Sequence, residues 1–400
     1  MHPLTRKISQ IRSYVDEKIS LDTRASPYYI IAQCLPTQNQ SHLFWWRTTG
    51  SALAILLDRA GNTLDSSVRG LLFYYLYIIP YLGEAPKATA RRQNEPTWKS
   101  FMTDEYTPVE FSWSWADRHQ PPVIPFSFEP IGPQAGTEAD PLNAYSAFAF
   151  MSVLRHVLPS LDMRWFDHFS ETLLSYKDVP MKSEEGPGGN SSRLLLAFDL
   201  LEDQVTPKAY FFPGFKAAET GRERIDLISD AIESLPDHHP SAFPGFSTYH
   251  EFIKKSQLEV EMLAIDCVVP ADARLKLYVR NRSTCSNSVR YMVILGDSAN
   301  EPGIRNGLEE LEMLWTILFG LGGELAPDQE MDHKNHRTAG ILYNFELRPG
   351  KNRLVPKVYI PVRHYMQSDS RIMQRLTTYL KSQHWGAMTE KYTSAMERLL

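Results

Sequence analysis

The order of elements constrains this chain more than any single motif does. Two helix-like segments precede a β-hairpin, the unit recurs four times, and a last helix pair has no hairpin after it. The hairpins read as TPVEFSWSW with VIPFSFEPIG, SRLLLAFDLL with TPKAYFFPGF, VEMLAIDCVV with ARLKLYVRN, and AGILYNFELRPG with RLVPKVYIPVRH. Each joins two β-rich runs across a short polar or Pro/Gly-bearing turn. Apolar spacing of three and four residues marks the helices, among them HLFWWRTTGSALAILLDRAG, VRGLLFYYLYIIPYL, RERIDLISDAIESL and DSRIMQRLTTYLKSQ. Shorter segments near Tyr249–Ser256 and Ser286–Leu295 complete the order. Antiparallel hairpins separated by helix pairs form a sheet with helices over one face. Closing such a sheet into a barrel removes its exposed edges. The expected class is therefore α/β, built from repeated α-α-β-β units, with a C-terminal strand pair missing.

Composition narrows the function. The 42 Lys+Arg against 47 Asp+Glu leave a net charge of −5, which argues against nonspecific nucleic-acid binding. The three cysteines (Cys34, Cys267, Cys285) are too far apart in sequence for a disulfide framework or a Cys-rich zinc site, and suit a reducing compartment. The N-terminus is polar and charged, without the apolar core of a signal peptide, so a cytoplasmic protein is expected. The run Gly70–Gly83 is too short and Tyr-rich for a membrane span, which takes about 20 residues, and reads as a buried helix. Trp45 and Trp46 read as core. No low-complexity linker divides residues 1–400, which are expected to form a single domain with 1–25 as an N-terminal extension. EEGPGGNSS (Glu184–Ser192) is a loop without the Gly-Lys-Ser/Thr of a phosphate-binding P-loop. DQEMDHKNH (Asp328–His336) and DHHP (Asp237–Pro240) have ligand-like spacing but read as polar loops rather than metal sites.

Side chains alternate faces along a strand. In ARLKLY, Arg274, Lys276 and Tyr278 share one face. In PKAYFF, Lys208 and Tyr210 share one. In PKVYIP, Lys357 and Tyr359 do. Three hairpins thus repeat a cation followed two residues later by a tyrosine, each backed by an apolar face. A solvated outer face is one reading. The other is a lumen, because helices pack on the apolar faces. Four cations without counter-charge would be costly to bury. An anionic ligand offsets that cost, at roughly 4 kcal/mol per pair at ~4 Å and an effective dielectric of 20. A diphosphate supplies charge and acceptors for such groups. Tyrosine faces stabilise a carbocation by ~0.5–2 kcal/mol per ring. Together they imply departure of diphosphate and formation of an allylic cation. Glu110 shares its face with Ser112 and Ser114. It is either an acceptor for a substrate ring N–H or a surface carboxylate paired with Lys or Arg.

HLFWWRTTG, PTWKSFMTDEYTPVEFSWSW, FSFEPIG, FDLLEDQVTPKAYFFPGFKA, ARLKLYVRN and PKVYIPVRHY resemble the fungal dimethylallyltryptophan synthase (DMATS) family of aromatic prenyltransferases. The resemblance implies the ABBA fold, a barrel of antiparallel strands inside a ring of helices. It also implies transfer of a dimethylallyl group from dimethylallyl diphosphate (DMAPP) to an indole, without Mg²⁺ or another cofactor. By resemblance, Lys208, Arg274, Lys276 and Lys357 grip the diphosphate, and Tyr210, Tyr278 and Tyr359 shield the cation. Glu110 holds the indole N–H, and Leu342 limits prenyl length to five carbons. Pro125 stands where the family often has Arg, and Lys357 where some members have Gln. Glu261 and Leu195 replace basic residues of members that act on free tryptophan. These last two changes favour a tryptophan-containing cyclic dipeptide or an indole diterpene, as in alkaloid secondary metabolism. The alternatives are free tryptophan, a phenol, or a noncatalytic ligand-binding member. The missing strands imply an incomplete barrel or closure by other means, such as a partner chain in a homodimer.

Overall fold

The computed structural model describes residues 26–35, 39–87, 96–115, 120–177, 192–200, 205–236, 242–294, 302–320, 326–352 and 354–400. The extension 1–25, residues 184–191 of the glycine-rich loop and the DHHP segment 237–240 lie outside them. Two compact units emerge, one of 1–161, 190–209 and 394–400, the other of 162–189 and 210–393.

The first unit opens with α1 (Pro27–Cys34), which the sequence pattern did not reveal. The segments α2 (Gln40–Trp45) and α3 (Ser51–Ala60) are joined by a π-helical turn at Trp46–Gly50. Helix α4 (Leu64–Phe73) passes through a second such turn and stops at Pro80 in a 3₁₀ turn, as a residue without N–H and with a bulky ring requires. Helix α5 (Ser146–Leu154) precedes the second hairpin. Trp45 and Trp46 are buried, as expected.

The strands of this unit are β1 (Val109–Phe111), β2 (Phe126–Phe128), β3 (Leu194–Leu200) and the start of β4 (Val205–Phe211), hydrogen-bonded in that order. The first hairpin has shorter strands than expected. Pro108, Pro121, Pro122, Pro125 and Pro130 withhold ladder donors, and pairing beyond β1 and β2 shrinks to a bridge between Ser114 and Val123. The register Phe111↔Phe126↔Phe198 puts one face into an aromatic core. Phe198 meets the rings of Phe73, Phe126, Phe128 and Phe150 at 5.3–6.1 Å. On the other face, Glu110, Ser127 and Ala197 stand in one cross-strand row.

The second unit holds α6 (Arg164–Leu173), the end of β4, α7 (Gly214–Thr220), α8 (Arg224–Glu233) and α9 (Phe246–Ser256). There follow β5 (Glu259–Asp266), β6 (Leu275–Asn281), α10 (Ser286–Ile294), α11 (Pro302–Phe319), β7 (Ile341–Leu347) and β8 (Val355–Tyr359). The order is β4-β5-β6-β7-β8. After β8 come only α12 (Val362–Tyr365), α13 (Asp369–Ser382) and α14 (Gly386–Leu399). The helix–helix–hairpin order is therefore present, and among the described residues no strand follows Tyr359. Phe211 of β4 packs on Phe166 and Phe169 of α6, and Phe345 of β7 on Tyr249 of α9 at 4.6 Å. These contacts fix the apolar face, leaving Lys-x-Tyr positions on the other. No helix among the described residues is long and apolar enough to cross a membrane.

Phe198→Ala removes the central ring of the first unit's core, and unfolding free energy should fall by about 3–5 kcal/mol in urea titrations.

Candidate active site

Strand β6 runs between β5 and β7, and its register shows which side chains share a face. Ala264↔Lys276↔Glu346 forms one row, Met262↔Tyr278↔Asn344↔Lys357 the next, and Arg280↔Leu342↔Tyr359 the third. Directly opposed residues point to the same side. Lys276, Tyr278, Leu342, Lys357 and Tyr359 thus share the face that period-two reading assigned them.

The tyrosines meet. Tyr278 lies 5.9 Å from Tyr210 and 5.8 Å from Tyr359, ring centre to ring centre. Burial, reinforced by the two neighbouring phenols, pushes the Tyr278 hydroxyl well above the usual tyrosine range, so it stays neutral. Asn344 hydrogen-bonds to it, while the buried Asn344 Oδ1 has no hydrogen-bond partner. Tyr359 and Lys357 are exposed on β8.

The cations are not uncompensated, which corrects the expectation above. Arg274 donates through Nε to Asp266 at 2.5 Å and through Nη1 to Glu346 at 3.0 Å. Lys276 Nζ donates to the other Asp266 oxygen at 2.8 Å. Arg348 reaches Glu346 at 2.9 Å. In the first unit Lys208 Nζ donates to Asp199 at 2.6 Å. Arg274, Lys276 and Arg348 thus gather around Asp266 and Glu346. Desolvation drives the Asp266 carboxyl up, but Arg274 and Lys276 outweigh it and hold it below its ordinary value.

Glu110 has exposed surface, yet desolvation raises its carboxyl above the ordinary value. That combination describes a recess that water enters but in which protein surrounds the charge. The surface ion pair that was the other reading of Glu110 is not present among the described residues. Leu195 is buried in β3 on the Ala197 side.

Glu261 is a second correction. It was expected to repel a carboxylate, but its Oε1 accepts from Arg280 Nε. The register steps from Val260 to Met262 opposite consecutive residues of β6, so Glu261 is the extra residue of a β-bulge. Alternation alone would have sent it to the core face with Leu263. Arg280 Nη1 also donates to the carbonyl of Thr338 at 2.9 Å. Next to that carbonyl, Gly340 adopts φ +85°, where a Cβ would lie 2.6 Å from the Asn281 carbonyl, so glycine is required. A cavity of about 660 Å³ opens here, lined by Glu259, Arg282, His336, Ala339, Gly340 and Tyr365 among others. His333 and Asp332 of the DQEMDHKNH stretch also line it. Among the described residues no group of three His, Cys, Asp or Glu is placed to hold a metal.

Asp266, Glu346, Asn344 and Arg280 were missed from sequence. Arg280 continues the period of Arg274, Lys276 and Tyr278, and Asn344 and Glu346 continue that of Leu342. Asp266 carried no signal, because only tertiary register brings it to Lys276.

The family model described as tryptophan dimethylallyltransferase matches residues 41–395. A 7-dimethylallyltryptophan synthase of Aspergillus fumigatus is 34% identical over 94% of this chain and 82% of its own length. A 4-O-dimethylallyl-L-tyrosine synthase of Claviceps purpurea is 35% identical over 84% of this chain and 75% of its own. The crystal structure of AnaPT from Neosartorya fischeri superposes with a TM-score of 0.78 at 25% identity, covering 92% of this chain and 88% of that one.

A carboxyl depressed in the folded state stabilises fully above its unfolded value, about 3.9, and loses that contribution as pH falls through the depressed value. Asp266→Asn should therefore lower stability at pH 7 by about 3–5 kcal/mol, the scale of breaking a buried pair. It should also flatten the decline in acid, as read from denaturation across pH.

Proposed function

This chain belongs to the tryptophan dimethylallyltransferase family and is an aromatic prenyltransferase of the ABBA fold; from that premise we propose how its own residues perform the transfer. The observation that carries the reading is the cluster of three tyrosine rings from β4, β6 and β8, with the Arg274–Lys276 ion cluster one step before Tyr278 along β6. Lys276 and Tyr278 are two residues apart, about 6.8 Å along a strand. A diphosphate at the first position therefore sets its allyl chain against the rings at the second.

Arg274, Lys276, Lys208 and Lys357 bind the diphosphate of DMAPP. The carbon–oxygen bond breaks, and diphosphate leaves with the electron pair. Asp266 and Glu346 hold Arg274 and Lys276 in place beforehand, so the developing charge meets donors that need no reorganisation. In this reading the side-chain cations supply the positive charge for leaving-group departure, without a cofactor. Neutral Tyr210, Tyr278 and Tyr359 offer ring faces to the dimethylallyl cation and keep water from it. Glu110 accepts the indole N–H and turns the ring so that a carbon attacks the allyl carbon. Loss of the ring proton restores aromaticity. Leu342, one row beyond Tyr278, limits the prenyl chain to five carbons. Both units together are read as a single catalytic domain, since the family match spans them.

Two acceptor readings follow. Leu195, in place of a basic residue, supports tryptophan built into a larger molecule, such as a cyclic dipeptide or an indole diterpene. The Arg280–Glu261 pair supports the free amino acid, because Arg280 cancels the repulsion that Glu261 alone would exert. The activities named for the two curated relatives point the same way.

Incubation with DMAPP and a panel of indoles and phenols should give products heavier by one five-carbon unit in mass spectrometry. No product from any acceptor, with donor binding intact, would sink the reading and favour a noncatalytic binding protein. Glu110→Ala should lower transfer about 10- to 150-fold, the scale of one charge-assisted hydrogen bond, while calorimetry shows DMAPP binding unchanged. Because the Glu110 carboxyl is raised, transfer should fall with acidification at a pH above the ordinary carboxylate value; Leu342→Gly should admit geranyl diphosphate as donor.

A further inference from the structure

We infer that Glu129 is a positioning residue: its buried carboxylate, acting through the hydroxyls of Ser100 and Ser192, fixes the irregular segment 98–108 that leads into β1 and so sets where Glu110 stands. This rests on the role given to Glu110 under the prenyl-transfer reading and adds what holds that carboxylate in place.

Strand β1 needs such support. It stands at the end of the strand order, and its ladder with β2 is three residues long, with Glu110 opposite Ser127. The cross-strand bonds on either side of that pair are single. Glu129 N–H donates to Pro108 O at 2.9 Å, and Ser112 N–H to Pro125 O at 2.8 Å. The reciprocal donors would be Pro108 and Pro125, which have no N–H.

The side chain of Glu129 supplies the missing hold. The residue is 2% exposed, and among the described residues it has no ion-pair partner. Its Oε1 accepts from Trp98 Nε1 at 2.9 Å and its Oε2 from Ser192 Oγ at 2.6 Å. Ser100 and Asn143 hydrogen-bond to it as well. Each of these partners can donate, and the indole nitrogen can only donate. The site is therefore built for the ionised form, against which burial pushes the carboxyl upward.

The two serines pass that hold to the backbone. A hydroxyl has one proton. Once Ser192 gives its proton to Glu129, its oxygen is left to accept, and it takes Phe101 N–H at 3.0 Å. Ser100 does the same for Met102 N–H at 3.3 Å. Both serines are wholly buried, so water does not stand in for them. Further along, Thr103 Oγ1 accepts Thr107 N–H at 2.9 Å. Between them Tyr106 takes φ +62°, a conformation that a non-glycine residue keeps only where its surroundings impose it. The Glu129–Pro108 bond then closes the segment two residues before Glu110. One residue thus grips both ends, by its carboxylate and by its own N–H. Glutamine does not replace it, because one acceptor oxygen and one NH₂ group turn one of the hydroxyls around.

The test is calorimetric binding of indole, and of benzothiophene as a bicycle of similar shape without an N–H, to the full chain with a non-transferable thio analogue of DMAPP present. The wild-type chain should prefer indole by about tenfold or more, the scale of one hydrogen bond to a charged group. Glu110→Ala should abolish that preference. Glu129→Gln should weaken indole about fivefold or more and leave benzothiophene unchanged. Added to Glu110→Ala, it should change neither ligand further. Ser192→Ala, which keeps the carboxylate but removes the hydroxyl that Phe101 N–H binds, should also weaken indole alone, and it decides the matter if Glu129→Gln fails to fold. Equal weakening of both ligands marks a merely structural role and overturns the inference. So does a preference that Glu110→Ala removes but Glu129→Gln and Ser192→Ala both keep. No preference in the wild-type chain defeats the role of Glu110 and the inference with it. The expected binding pattern without any prenylated product from DMAPP defeats the enzymatic reading and not this inference.

Discussion

The pairing of Arg274 and Lys276 with Asp266 and Glu346 is the interaction on which the rest of the sheet face depends. Ammonium and guanidinium groups buried on a strand face would otherwise be expelled or neutralised. Two carboxylates hold them charged and oriented.

That cluster depends on β6 lying between two strands whose register is continuous from Leu275 to Tyr278. Along β6 the side chains of one face pass from Lys276 through Tyr278 to the Arg280–Glu261 ion pair. The apolar reverse of the same strands, carried by Leu275, Leu277, Tyr343 and Phe345, is buried. The apolar packing and the charged and phenolic groups are thereby placed on opposite faces of the same strands.

How much of this was legible in the sequence follows from the range of the interactions involved. The hairpins and most helices are local patterns, and they fell where alternation and helical spacing put them. Lys276, Tyr278 and Tyr359 were found because period-two reading needs only their own strands. Helix α1 and the short helix α7 were missed, because eight and seven residues give little periodicity. The first hairpin was over-read, since alternation in PVEFSWSW is genuine while its partner strand is interrupted by prolines. The counter-charges were invisible for a different reason. Asp266 and Glu346 sit 10 and 70 residues from Lys276 by number, and register alone brings them to it. Glu261 shows the sharpest limit, because the bulge reverses what alternation asserts.

That bulge has a consequence for how such a face can change. Shortening or lengthening a strand ordinarily flips every side chain beyond the change to the wrong surface. In β5 the flanking pairs Val260↔Val279 and Met262↔Tyr278 already face adjoining residues of their partner. Excising residue 261 would therefore leave both flanks where they are. The acidic side chain at this point of the strand can thus be gained or lost with a single codon, while the rows of Lys276 and Tyr278 keep their register.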